Sequence, residues 1–432
     1  MITGSAVYHV VEAMAPLYTA AVLGFASVRW LKAFSAEQCA GINHFVAIYA
    51  VPVLIFQMVS TNNPYAMNGR LVAADTLQKA VMLLGLIAWA AWASRPSRRS
   101  RSSKSKVSPL QWVVTAFSVA SLPNTIIMGV PLLGGMYGPV SKELMKQIVV
   151  MQFCVWYNVV IFIYEYMAAR RAATAADGMN AKISPASPGS ATPPEKIARD
   201  ETAAAERAHE VTVNIEITEV SAASTAQKDV VADNTTTEAL AKELSTAEDA
   251  TVAVAAPAEE AAPPARMTAP SVGHIALMAG KKVLKIPNTY ASFLGLIWSL
   301  IAFKCGIKMP KIIDDSLFTI QTTAVGLSMF ASGTFIARQS RFVPCGYTIA
   351  SFSMVLKFLI GPVVMLLASL AIGMHGTLLH IAVVQAALPL AVTSFVYAEE
   401  YKVHADIMST GVILGIFISL PVTIVYYILL GL

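Results

Sequence analysis

Leu122-Pro123-Asn124-Thr125 and Leu388-Pro389-Leu390 interrupt two otherwise apolar runs, Val113 to Leu133 and His380 to Tyr397. A proline inside a helix removes one backbone N–H and clashes with the carbonyl four residues back. In lipid no water satisfies the freed group, so a broken helix persists only against protein or a cavity. Each interrupted run is the fourth apolar stretch of its own half of the chain.

The surrounding composition makes lipid the relevant solvent. Hydrophobic residues are 56% of the 432 and charged residues 13%, against roughly 25% charged in a soluble domain. Ten stretches approach the roughly 20 residues needed to cross a bilayer: near 7–27, 40–58, 71–93, 111–133, 147–167, 288–304, 316–337, 347–373, 379–398 and 407–430. The first lacks a basic leader and a small-residue cleavage site, and reads as a retained span. Cys39, Cys154, Cys305 and Cys345 are scattered without metal-type spacing, and no metal site, cofactor motif or nucleophile constellation is expected. The chain does not read as an enzyme.

Charge divides unevenly. Residues 172–270 hold sixteen acidic and seven basic residues, a net of −9, which leaves +14 on the remainder. Arg29, Lys32, the Arg95–Lys106 cluster, Arg170, Arg171, Lys281, Lys282, Lys285, Arg338 and Arg341 fall on one side if the N-terminus is outside. Basic loops mark the cytosolic side, so both termini are read as extracytosolic. Topology accounts for these basic loops without nucleic acid.

The acidic segment contains no Phe, Tyr or Trp and is rich in Ala, Thr, Glu and Pro. It buries too little apolar surface to offset its ordering entropy. It is read as a disordered cytosolic loop over 169–280, with a short strand conceivable at Val211–Ile217. The loop separates an N-terminal five-helix repeat, 1–168, from a C-terminal one, 281–432. An odd number of spans per half makes such repeats inverted, with substrate bound at discontinuous helices near the midplane. Lys79 in span three and Lys357 in span eight are echoes of that repeat.

The N-terminal end of a half-helix carries partial positive charge and suits a carboxylate. Asn124 and Thr125 set an amide and a hydroxyl at that end, although a proline kink that only aids packing is common. Asp75 and Lys79 stand at i and i+4, the favourable order for an ion pair. They are either an intramembrane functional pair or an interfacial pair with a snorkelling lysine. Gln152 and Tyr157 in span five need partners, and hydrogen-bonded packing between helices is the plainer alternative. Asn288 opens span six and reads equally as a cap. Glu399, Glu400 and His404 read as a solvated loop, with a gate second.

These residues fall in longer motifs. Ser60-Thr61-Asn62-Asn63-Pro64-Tyr65, Ala73-Ala74-Asp75-Thr76-Leu77-Gln78-Lys79, Leu122-Pro123-Asn124-Thr125, Met309-Pro310-Lys311-Ile312-Ile313, Val384-Gln385-Ala386-Ala387-Leu388-Pro389 and Tyr426-Tyr427-Ile428-Leu429-Leu430-Gly431-Leu432 resemble the plant PIN-FORMED auxin efflux carriers across all ten spans. The resemblance implies an all-α polytopic fold of ten transmembrane helices. These form two inverted five-helix repeats, like the bile-acid and sodium–proton transporters, with spans four and nine crossing at Pro123 and Pro389. It implies efflux of indole-3-acetic acid as its anion, elevator-type movement against a scaffold of spans one, two, six and seven, and a homodimer in the plasma membrane or endoplasmic reticulum. The family's substrate positions fall on Val51, Asn124, Gln152, Tyr157 and Asn288, and its support site on Asp75 and Lys79.

Two departures concern the pocket. The family's Gln-Gly-Ile-Val-Pro-Phe after the second proline is here Leu390-Ala391-Val392-Thr393-Ser394-Phe395, and a frequent serine is here Ile55. The loop lacks the Thr-Pro-Arg-x-Ser motif, although Ser184, Ser187 and Thr192 each precede proline, so kinases are expected only as possible partners. Export or ion-driven carriage of another organic anion is the alternative function, and a membrane receptor the third. No carboxylate stands beside either proline, which disfavours sodium coupling. Potential-driven export competes with proton coupling through Asp75 and Lys79.

Overall fold

A computed structural model describes residues 4–94, 108–183 and 272–431. The Arg95–Lys106 cluster, the Val211–Ile217 stretch and the three Ser/Thr-Pro sites lie outside the described residues. The helices, in chain order, are α1 Gly4–Arg29, α2 Ala36–Ser60, α3 Gly69–Ala93, α4 Pro109–Ser121 and α5 Thr125–Tyr137. There follow α6 Pro139–Thr174, which continues to Ile183, then α7 Val272–Val283, α8 Pro287–Cys305 and α9 Lys311–Arg338. The last are α10 Tyr347–Ala371, α11 Gly376–Ala386, α12 Val392–Glu400 and α13 Ala405–Gly431.

Every stretch read as a span is helical. Among the described residues, seven helices are long and apolar enough to cross a membrane: α1, α2, α3, α6, α9, α10 and α13. The pair α7 and α8, bent by 72°, makes an eighth. Spans four and nine fall short of that length because each comes in two pieces, α4 with α5 and α11 with α12. Helix also reaches into the stretch read as loop, through Ile183 on one side and from Val272 on the other.

Packing repeats across the two halves. α1 lies along α9, and α8 lies along α2, so the first helix of each half packs on the second helix of the other. Likewise α3 packs on α4 as α10 packs on α11, and α3 touches α10. The α1–α9 crossing depends on two glycines. A Cβ at Gly333 would overlap the Ala21 carbonyl, and one at Gly24 the Phe330 carbonyl. Small residues that let backbones approach are the usual means of packing helices in lipid. Gly333→Val should therefore lower stability by about 1–3 kcal/mol, read as the thermal midpoint of purified protein. An unchanged midpoint would remove this account of the crossing.

Among the described residues, four helices widen locally into turns closed by i to i+5 hydrogen bonds: α2 at Val46–Ala50, α5 at Thr125–Gly129, α6 at Gln152–Trp156 and α10 at Leu356–Ile360. Such π-turns recur at functional sites because the extra residue re-aims its neighbours. Val51 and Asn124 adjoin two of these turns, Gln152 and Lys357 lie within the other two, and Tyr157 directly follows the Gln152 turn.

Candidate functional site

The two proline breaks meet. Pro123 and Leu390 form an antiparallel bridge: the Asn124 N–H donates to the Pro389 carbonyl at 2.8 Å, and the Ala391 N–H to the Leu122 carbonyl at 3.3 Å. Each break thereby satisfies backbone groups that the other's proline left unpaired, which meets the requirement that irregular backbone at membrane depth be bonded by protein. Asn124, at φ −77° and ψ 68°, is the centre of an inverse γ-turn, with the Thr125 N–H donating to the Pro123 carbonyl at 2.9 Å. α5 and α12 begin directly after the breaks, so two helix N-termini lie at the crossover.

Gln152 locks this turn from α6. Its Nε2 donates to the Pro123 carbonyl at 2.8 Å, and its Oε1 accepts from Thr125 Oγ1 at 2.8 Å. Both Gln152 and Thr125 are buried. The Asn124 side chain makes no hydrogen bond among the described residues and stands on the wall of a cavity of about 30 Å³. Val51 and Leu54 of α2 line the same cavity, together with Pro123, Thr125, Gln152, Phe153, Tyr157, Ala391 and Thr393. Tyr157 packs on Phe153 with ring centroids 4.8 Å apart, and its hydroxyl lies 3.3 Å from Ser394 Oγ. The arrangement is one uncommitted amide and two helix N-termini against an aromatic and aliphatic wall, which suits an amphipathic anion.

Four of the five expected substrate positions, Val51, Asn124, Gln152 and Tyr157, thus share one cavity. Asn288 does not line it. It is the second residue of α8, its side chain caps nothing, and its Nδ2 donates to the Tyr397 hydroxyl at 3.3 Å. Tyr397 in turn packs on Tyr157 at 6.2 Å, so Asn288 stands one aromatic layer behind the wall. Ile55 is buried away from the cavity, and Leu390 points toward Gly411 of α13. Of the departures, only Ala391 and Thr393 reach the wall. A wider groove of about 630 Å³ along α1 is lined by that helix alone.

Asp75 and Lys79 are fully buried and form an ion pair on α3. Lys79 therefore does not snorkel to the surface. Gln385 Nε2 of α11 donates to Asp75 Oδ1 at 3.3 Å, and Gln78 Nε2 reaches the Gly361 carbonyl of α10 at 3.5 Å. This polar layer lies one turn before each break, on the side of α3 and α10.

At the end of the bundle where α12 turns into α13, the residues expected in a solvated loop are partly engaged. Glu399 and Glu400 are exposed. His404, with φ 46°, packs on Trp112 at 4.4 Å. Thr115 Oγ1 gives its proton to the Gln111 carbonyl, so the contact of 3.0 Å to His404 Nδ1 has the imidazole as donor. Burial pushes the His404 imidazole below its ordinary value. Beside it Tyr401 stacks on Tyr164 at 5.1 Å and donates to Glu165 Oε1 at 2.8 Å, while Lys282 of α7 pairs with Glu165 Oε2 at 3.4 Å. The sequence reading missed this Glu165 cluster, and the one hint was a glutamate late in an apolar run.

A membrane transport protein family matches residues 9–427. The "Probable auxin efflux carrier component 9" of Oryza sativa subsp. japonica is 75% identical over the full length of both chains. The "Auxin efflux carrier component 8" of Arabidopsis thaliana is 36% identical, again over all of both. A longer rice relative, "Probable auxin efflux carrier component 1c", is 32% identical with both chains fully covered. With a family match over nearly the whole chain and the crossed breaks in place, this chain belongs to the membrane transport protein family, among its PIN-FORMED members.

Proposed function

We propose that the chain exports the indole-3-acetate anion by elevator-type alternating access, driven by the membrane potential. The observation that carries the reading is the unbonded Asn124 amide between two helix N-termini, facing a wall that includes Phe153 and Tyr157. An indole ring matches the aromatic wall, and its carboxylate matches the amide and the helix ends. Carboxyl groups ionise near pH 4, roughly, so the substrate is an anion in cytosol and does not leave through lipid. An inside-negative potential favours moving one negative charge outward by about 2.3 kcal/mol per 100 mV.

A cavity of about 30 Å³ has room for about one water, whereas ligand sites measure about 300 Å³ or more. Substrate entry therefore calls for the crossover helices α3–α6 and α10–α13 to shift against α1, α2, α8 and α9. The Asn288–Tyr397 bond crosses that boundary and would part in the movement. The positive-inside asymmetry supports extracytosolic termini and a cytosolic loop open to kinases. The same reading includes a homodimer in the plasma membrane.

The test is efflux of labelled indole-3-acetate from cells expressing the chain, against Asn124→Ala. A hydrogen bond to a charged group contributes about 1.5–3 kcal/mol, so the variant should lose roughly ten- to hundredfold in transport. Its thermal midpoint should be unchanged, since the amide holds nothing else. Equal efflux by the variant would discard the site; background efflux by both would discard the substrate.

A further inference from the structure

Thr393, the second residue of α12, lines the same cavity as Asn124 from the other strand of the crossover. Its hydroxyl makes no hydrogen bond among the described residues, and the break accounts for that. A helical threonine can return its hydroxyl to the carbonyl four residues back. Thr115 does so to Gln111, Thr410 to Asp406 and Thr423 to Ser419. For Thr393 that place falls on Pro389, outside the helix, whose carbonyl takes the Asn124 N–H instead.

The other polar side chains at this wall are committed. Ser394, directly after Thr393, is buried and meets the Tyr157 hydroxyl at 3.3 Å, which holds the first turn of α12 against the aromatic wall. Both ends of the Gln152 amide serve the γ-turn, one bonding Pro123 and the other Thr125. Among the described residues, the polar side chains on the wall left without a partner are therefore Asn124 and Thr393. Thr393 and Ser394 stand where the carrier motif quoted above has valine and proline. The hydroxyls at this half-site are thus a departure of this chain.

Indole-3-acetate is polar at its carboxylate and at its ring N–H. The carboxylate accepts hydrogen bonds and is assigned above to the Asn124 amide and the helix ends. The ring N–H donates, and buried without an acceptor it forfeits the bond it made to water. A threonine hydroxyl carries acceptor lone pairs, and Thr393 stands on a different element from Asn124, as the N–H stands apart from the carboxylate. We propose that Thr393 accepts the ring N–H of the substrate, so that this carrier selects aromatic acids bearing a ring N–H over acids of the same shape without one. This rests on the indole-3-acetate reading above. An acid that lacks the N–H leaves the Thr393 hydroxyl unpaired as well, so it is disfavoured from the protein side too.

The decisive experiment compares indole-3-acetate with benzothiophene-3-acetate, in which sulfur replaces the N–H and the shape is nearly kept. Transport of each from the cytosolic side is followed by mass spectrometry in inside-out vesicles holding the full chain. The wild type should favour indole-3-acetate in kcat/KM by roughly two- to tenfold, the effect of one neutral hydrogen bond. Thr393→Val, which keeps the branching and removes the hydroxyl, should abolish that preference, and Thr393→Ser should retain it. Should Thr393→Val fail to fold, Thr393→Ala removes the same hydroxyl. A wild type that carries both acids equally would overturn the proposal while export of indole-3-acetate stands. So would a hydroxyl-free variant that loses transport of both acids in proportion, since that marks a merely structural threonine. Transport of neither acid by the wild type would remove the substrate reading, and the proposal with it.

Discussion

Asp75→Leu should yield a protein destabilised by about 3–5 kcal/mol, the cost of breaking a buried ion pair from one side. Asp75 has no exposed surface, and its carboxylate holds both Lys79 and the Gln385 amide. Removing it leaves Lys79 buried without its partner. The expected result is loss of the monodisperse peak on size exclusion, or a sharply lowered thermal midpoint. The companion is Asp75→Leu with Lys79→Leu. Replacing both partners with apolar residues is often neutral. The double variant should recover most of the lost stability. Equal stability of the single and double variants would show that the unpaired Lys79 is not the source of the loss.

Much of the fold was legible because a membrane narrows the choices. Pro123 and Pro389 were visible as breaks since proline cannot complete a helical hydrogen-bond ladder, and their matching places pointed to a pair. What sequence did not give is how each break is satisfied. The reciprocal bonds between Asn124, Pro389, Leu122 and Ala391 depend on two segments more than 260 residues apart meeting in register. Helix rotation was equally hidden. Asn288 looked like a pocket residue or a cap, and a rotation of α8 sets it behind Tyr397 instead. The π-turns have no composition signature, yet they re-aim Val51, Gln152 and Lys357. His404 followed a charged stretch and read as solvated; Trp112 and Thr115, from a different span, half-bury its ring. Residues whose role comes from their own backbone were readable, and residues whose role comes from a distant helix were not.

Gln152→Leu separates the lock of the crossover from the binding of substrate. The leucine has similar bulk but no polar atoms, so the Pro123 carbonyl loses its 2.8 Å donor and Thr125 Oγ1 its 2.8 Å acceptor. Thr125 retains a weak contact of 3.4 Å to the Pro123 carbonyl, which in turn keeps the Thr125 N–H. Each buried group left short costs roughly 1–3 kcal/mol, and the γ-turn that aims Asn124 loses its support from α6. Stability and transport should therefore fall together, with transport down at least about tenfold for each 1.4 kcal/mol lost in the crossover geometry. Asn124→Ala should lower transport alone. Gln152→Glu provides the third arm: its carboxylate still accepts from Thr125 but turns an acceptor toward the Pro123 carbonyl and adds negative charge where an anion would bind. Transport by Gln152→Glu should fall at least as far as in Gln152→Leu. If Gln152→Leu instead retains full stability while losing transport, Gln152 acts by contacting substrate, and the crossover is held by its backbone bonds without help from α6.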